Sequence, residues 1–254
     1  MKISVLGCSG GVSGNLRTTC LLVDDDILID AGTGAGDLSL EQMARIDHIF
    51  LTHSHLDHVA LVPLLADAVA GKRESPIIVH ALPETNDTLK QCVLNWKLWP
   101  DYTVMPSKDR PYIRFDPIKL GLTVELAGRK ITPLPAKHAV PAVGYQLDSG
   151  AASLVFSGDT TYCEAFWEAI NAIPNLVCIM IESTFLDRNA EGAVFSGHMT
   201  PSLVAKGLNR LARPASIYIT HMEPGRQEET MHEIMAVANS FKPLMLKEGQ
   251  VIEF

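Results

Sequence analysis

The chain has 254 residues, of which 47% are hydrophobic and 20% charged, and a formal net charge of −8. This is ordinary for a globular protein with a substantial core, and no apolar run approaches the roughly 18 residues that span a bilayer. The acidic balance argues against gripping a long nucleic acid, which needs a Lys/Arg-rich surface, but leaves room for a small anion where bound metal ions make a pocket locally positive.

The apolar start is too short for a secretory leader, and Val5-Leu6-Gly7-Cys8, faintly like a lipoprotein cleavage site, lacks the apolar segment that such a site follows. Strands are expected at 3–6, 19–23 and 27–29, with the acidic Asp24-Asp25-Asp26 as a solvated turn between the last two. A strand at 49–51 leads through a polar loop to a helix at 59–70, and a strand at 77–79 precedes a helix at 84–96. Residues 100–118 carry Pro100, Pro106, Pro111 and Pro117 and read as irregular. Strands are expected again at 122–126, 130–134, 143–147 and 154–156. A helix near 164–171, a strand at 176–181, a helix at 201–211, a strand at 216–220, a helix near 228–241 and a last strand at 251–254 complete the chain. Strands cluster first in each half and helices follow, which predicts two packed sheets with helices outside, in one domain spanning 1–254. The five cysteines (Cys8, Cys20, Cys92, Cys163, Cys178) are scattered and form no C-x-x-C, which predicts free thiols in a reducing cytoplasm.

The strongest signal is Thr52-His53-Ser54-His55-Leu56-Asp57-His58. So dense a cluster is hard to explain as packing, because His is a poor core residue. Imidazole and carboxylate are preferred ligands of zinc and similar divalent ions. A polar strand-to-helix turn is the structural alternative. His53 and His55, two apart at a strand end, point the same way, while Asp57 and His58 lie past the bend and can face a second ion. One loop cannot complete two coordination spheres. His138, Asp159 and His221 each stand at the end of an expected strand, and three such ends can converge on one rim. Singly each is more often structural; with the loop they form a candidate ligand set.

The H-x-H-x-D-H loop followed by His, Asp and His resembles the metallo-β-lactamase-fold hydrolases, over nearly the whole chain. The resemblance implies an α+β fold, an αββα sandwich of two mixed sheets with helices on the outer faces and a metal site at one edge. It implies that His53, His55 and His138 hold one ion, that Asp57, His58 and His221 hold the other, and that Asp159 bridges both. The flanking segments resemble the class II cyclic-nucleotide phosphodiesterases: Leu6-Gly7-Cys8-Ser9-Gly10-Gly11 with Gly14-Asn15; Asn95 with Trp99-Pro100-Asp101; Glu182-Ser183-Thr184-Phe185; Ser196-Gly197-His198-Met199-Thr200-Pro201; and Thr220-His221-Met222-Glu223-Pro224. Met199 and Met222 stand where Leu and Ile are expected. The segment from His138 through Gly144-Tyr145, and the pairing of Glu182 with His198, also resemble the tRNA 3′-processing endonucleases of the same fold. Their long Gly- and Lys-rich arm is missing, and their Ser-x-Arg-Tyr ending is replaced by Met222-Glu223-Pro224-Gly225-Arg226.

Two ions about 3.5–4 Å apart lower the pKa of a shared water, deliver hydroxide and offset phosphoryl charge. Asp57, His198 and Glu182 are the expected catalytic set. His198 is the candidate proton donor to the leaving alkoxide, oriented by Glu182. The structural alternative makes His198 a loop residue before the helix at Pro201, a helix that Thr200 is expected to cap. Gly10 and Gly11 let backbone approach a phosphate, or mark only a tight turn. Trp96, Trp99 and Tyr102 offer faces for a purine, or serve as core or dimer contacts; Asn95 or Asp101 could hydrogen-bond a base or ribose. His48 is expected at an exposed strand start, His80 at a strand end and His232 on a solvent-facing helix surface.

The expected function is hydrolysis of 3′,5′-cyclic nucleotides, cAMP or cGMP, to 5′-mononucleotides. It uses two divalent ions, zinc foremost, with manganese and iron as alternatives. The competing expectations are a tRNA 3′-end nuclease or other phosphodiester hydrolase on the same site, and a non-catalytic metal- or nucleotide-binding module. A homodimer is the family-like assembly.

Overall fold

The computed structural model describes residues 1–254. The first half builds β1 (Lys2–Gly7), β2 (Cys20–Val23) and β3 (Ile27–Ile29), then α1 (Leu40–Arg45), β4 (His48–Phe50), α2 (Leu56–Val59), α3 (Leu61–Val69), β5 (Ile77–Ala81) and α4 (Pro83–Thr88). After the small hairpin β6 (Pro106–Ser107) and β7 (Arg110–Pro111) comes β8 (Ile113–Pro117). The second half builds β9 (Val124–Leu126), β10 (Arg129–Pro135), β11 (Val143–Asp148), β12 (Ser153–Phe156), α5 (Glu164–Asn171) and β13 (Leu176–Glu182). It continues with α6 (Ala190–Ser196), α7 (Pro201–Leu208), β14 (Ser216–Thr220), α8 (Gln227–Ala238) and β15 (Leu244–Met245), and β16 (Val251–Glu253) closes the chain.

Two seven-stranded mixed sheets result, ordered β16-β1-β2-β3-β4-β5-β8 and β15-β14-β13-β12-β11-β10-β9. β2, β3, β5 and β12 are buried along their whole length, because both faces of each sheet are covered there. Ile27 and Ile29 face the core shared by the sheets, with Val5, Phe50, Val143, Tyr145 and Phe156. Leu28, one residue out of phase, faces Val62, Leu65 and Val69 of α3. On the far side Phe166, Trp167, Val204 and Ile234 pack α5, α7 and α8 onto the second sheet. This is the αββα sandwich.

Several elements differ from expectation. The helix expected at 84–96 stops at Thr88 and passes into a wide π turn over Leu89–Val93. The Asn95 side chain then accepts the N–H groups of Lys97 and Leu98, and Trp96 takes a positive φ of 66°, so the helix cannot continue. The segment 100–118 is not irregular throughout, because β8 pairs in parallel with β5 as the sheet's edge. Edge placement tolerates the flanking prolines. The acidic turn is more than solvated: Asp24 and Asp26 both pair with Arg129 of the other sheet, with Asp26 Oδ2 accepting at 2.8 Å. Thr200 makes no side-chain cap on α7; Asp187 does, accepting from the N–H of Ser202 at 3.0 Å.

Candidate metal centre

The loop 53–58 follows β4 and is tied down from both sheets. Thr52 accepts the Val143 N–H at 3.0 Å, and Tyr145 donates to the Leu51 carbonyl at 2.7 Å. Gly158, at φ 57°, lets β12 turn against Thr52; a Cβ there would lie 2.9 Å from the Thr52 methyl. Buried Asp30, itself at φ 57°, accepts from the Thr52 N–H at 2.8 Å and from its hydroxyl. The same carboxylate holds His58 Nδ1 at 2.7 Å.

These constraints bring the expected residues together. His53, His55, His138 and Asp159 form one group whose ligand atoms lie within 4.8 Å of one another; Asp57, His58, Asp159 and His221 form a second. Asp159 belongs to both, with Oδ2 at 3.6 Å from His53 Nε2 and 3.3 Å from His58 Nε2, and Oδ1 at 3.4 Å from His221 Nε2. Asp57 Oδ2 lies 3.2 Å from His221 Nε2. The outer ring nitrogens are engaged elsewhere. His53 Nδ1 meets the Thr52 hydroxyl at 3.0 Å, His138 Nδ1 meets the Gly197 carbonyl at 3.0 Å, and His221 Nδ1 meets the Thr184 hydroxyl at 3.0 Å. Each contact turns the opposite nitrogen toward the cluster.

A divalent cation fits this donor set. His53 Nε2 and Asp159 Oδ1 are buried without a hydrogen-bond partner, a costly arrangement that a shared cation relieves. Burial pushes the pKa of His53, His55 and His138 down, toward the neutral imidazole that binds metal. At His58 burial is outweighed by Asp159 and Asp30, which raise it well above the ordinary value. Burial opposes ionisation of Asp159, but His221 and His58 hold its carboxyl well below the usual range.

Beside the second group lies a polar chain. Glu182 is wholly buried, yet its oxygens accept from the N–H groups of Thr160, Thr184 and Met199 and from the Thr184 hydroxyl. Its Oε1 lies 2.8 Å from His198 Nδ1, and the His198 ring stacks on His221 with centroids 5.4 Å apart. Burial would lower the His198 pKa, but the Glu182 carboxylate raises it to about 9.

Gly10 packs on His221: a Cβ there would meet the His221 carbonyl at 2.7 Å and its Nδ1 at 3.1 Å. Gly11 faces the Pro224 ring. Asn95 and Asp101 spend their side chains on local turns, Asp101 accepting the Thr103 N–H at 3.0 Å. Tyr102 is a core residue hydrogen-bonded to Asp67, Trp99 packs on that core, and Trp96 is exposed. His80 is buried, stacked on Phe50, with Nε2 2.9 Å from Nδ1 of half-buried His48. Sequence reasoning missed Asp30 and Thr184. The signal for Asp30 was an acid closing the all-apolar strand 27–29; Thr184 lay inside a quoted motif with no role assigned.

Fold and donor set define a metallo-β-lactamase-fold, metal-dependent hydrolase. The family described as "Beta-lactamase superfamily domain" matches residues 25–222, and the chain belongs to it. Membership implies divalent metal ions, which the His/Asp cluster fits. The chain is similar to a "Ribonuclease Z" of a Picosynechococcus strain, 24% identical over 306 residues, covering 96% of this chain and 92% of the relative. It is also similar to a "Probable 3',5'-cyclic-nucleotide phosphodiesterase" of Yersinia pestis, 23% identical over 279 residues, covering 89% and 79%. Unliganded yeast PDE1 has the same fold, with a TM-score of 0.79 at 17% identity, covering 100% of this chain and 99% of that one. No helix is long and apolar enough to cross a membrane.

Proposed function

We propose that this protein is a dinuclear-metal phosphodiesterase that opens 3′,5′-cyclic nucleotides, cAMP or cGMP, to 5′-mononucleotides. The observation that carries phosphodiester chemistry is the Glu182–His198 pair set against the double His/Asp group, and the flanking motifs with the acidic charge turn that reading toward cyclic nucleotides. In this reading His53, His55 and His138 would hold one ion and Asp57, His58 and His221 the other, with Asp159 shared by the two groups. Two divalent ions there, zinc foremost for so nitrogen-rich a set and manganese or iron as alternatives, would supply hydrolytic chemistry, lowering the pKa of a water and offsetting phosphoryl charge.

The chain's own residues do the rest. Glu182 fixes His198 through Nδ1, which leaves Nε2–H to hand a proton to the departing 3′ oxygen. The alkoxide is a poor leaving group, so this transfer matters most for unactivated esters. Thr184 links Glu182, His198 and His221, and so couples the proton donor to a ligand. The formal charge of −8 favours a small substrate over a long polyanion. Five free cysteines suit a cytoplasmic protein. Exposed Trp96 and Leu98 offer an apolar edge for a homodimer.

RNA 3′-end cleavage is the second reading, favoured by the ribonuclease Z relative that matches almost end to end. The deciding experiment offers metal-loaded protein 3′,5′-cAMP and a precursor tRNA separately and identifies the products. Formation of 5′-AMP with intact tRNA is expected. Cleaved precursor with untouched cAMP would move the assignment to the nuclease.

A further inference from the structure

A cavity of about 300 Å³ opens beside the ligand rim, with Ser9, Leu16, Met222, Gln227, Glu228 and Met245 in its wall. Its place in the fold ties it to the metal centre. Met222 directly follows His221 at the end of β14, and Met245 ends β15, which runs parallel to β14. Ser9 bridges to Met222, and the Gly10 N–H donates to the Met222 carbonyl at 3.0 Å. The residue after Ser9 therefore packs on the His221 ring while Ser9 itself lines the cavity.

We propose that this cavity seats the purine base of a nucleotide whose phosphate lies on the ligand cluster. The inference rests on the phosphodiesterase reading above. Four observations point to a base. The volume sits at the lower end of small-molecule pockets, about 300–1,000 Å³. Leu16, Met222, Met245 and Leu246 give it aliphatic and thioether walls, which suit the flat face of an aromatic ring. The Ser9 hydroxyl is buried without a partner, so a ring nitrogen or exocyclic group completes it. Glu228 and Glu248 outnumber Lys247 at the wall, which disfavours a second phosphate and favours a neutral ring bearing N–H donors. The segment 95–101, by contrast, spends the side chains of Asn95 and Asp101 on its own turns.

The test follows the methionine methyl groups of the metal-loaded, full-length protein by NMR while adenosine, then AMP, is added. Adenosine carries no phosphate, so it reports the cavity rather than the ion pair. Shifts at Met222 and Met245, with Met43 and Met105 unmoved, are expected. Leu16→Trp narrows the cavity and is expected to weaken adenosine binding and raise the KM for cAMP, each by about tenfold or more. Turnover of cAMP with both methyls silent toward adenosine and AMP would overturn the cavity and leave the phosphodiesterase reading standing. Methyl shifts without cAMP turnover would support the cavity and overturn that reading.

Discussion

The two halves of the molecule are built on one plan and deliver their candidate ligands differently. In each sheet three antiparallel pairings are followed by three parallel ones. The first half then places four candidate ligands together, His53 and His55 on the loop after β4 and Asp57 and His58 in the first turn of α2. The second half spreads His138, Asp159 and His221 over the ends of three strands and adds Glu182 and His198. The difference assigns labour. The first half forms a nest whose shape depends on local supports, Asp30 and Thr52. In the proposed mechanism the second half would set the spacing of the two ion positions through Asp159, which belongs to both groups, and would manage protons through Glu182 and His198.

That division can be broken at either end. His198→Ala should leave two ions per chain but lower kcat on cAMP by about 10²–10⁴. The loss should shrink on a p-nitrophenyl phosphodiester, whose leaving group needs no proton; an equal loss on both substrates would remove His198 from proton transfer. Asp30→Asn attacks the nest instead. It should weaken metal affinity by about 10–100-fold, read by chelator competition, because His58 loses the carboxylate that orients it. Unchanged affinity would make Asp30 a folding residue only.

The smallest effect lies away from the site, at buried His80, paired with half-buried His48. Burial, and then the neighbouring His48, lower the His80 pKa from 6.5 to about 4. The folded state therefore binds this proton less readily than the unfolded chain, so stability is fully present above pH 6.5 and declines as pH falls toward 4. His80→Phe should flatten the fall of Tm across that window, measured against the unmodified protein. An unaltered slope would contradict the assignment.

The same contrast explains what was legible. The strand at 27–29 was readable because burial on both faces makes it apolar throughout. The loop 53–58 was readable because its ligands are neighbours in sequence. His138, Asp159 and His221 carried weight only together with the loop and through family likeness, since nothing local distinguishes a lone Asp or His at a strand end. β8 was hidden because only Ile113 in it is buried and prolines flank it. α1 was overlooked although Ser39 and Gln42 form a capping box, because none of its residues is buried. Asp30 was missed because an acid closing an apolar strand names no partner, and its partner His58 is 28 positions away.

Metal content tests the central claim most directly. The unmodified protein, loaded with zinc and freed of loosely bound ions, should hold two ions per chain by elemental analysis, and Asp159→Ala, which removes the shared carboxylate, should hold fewer than two. One ion or none in the folded, unmodified protein, or two retained in Asp159→Ala, would contradict the account.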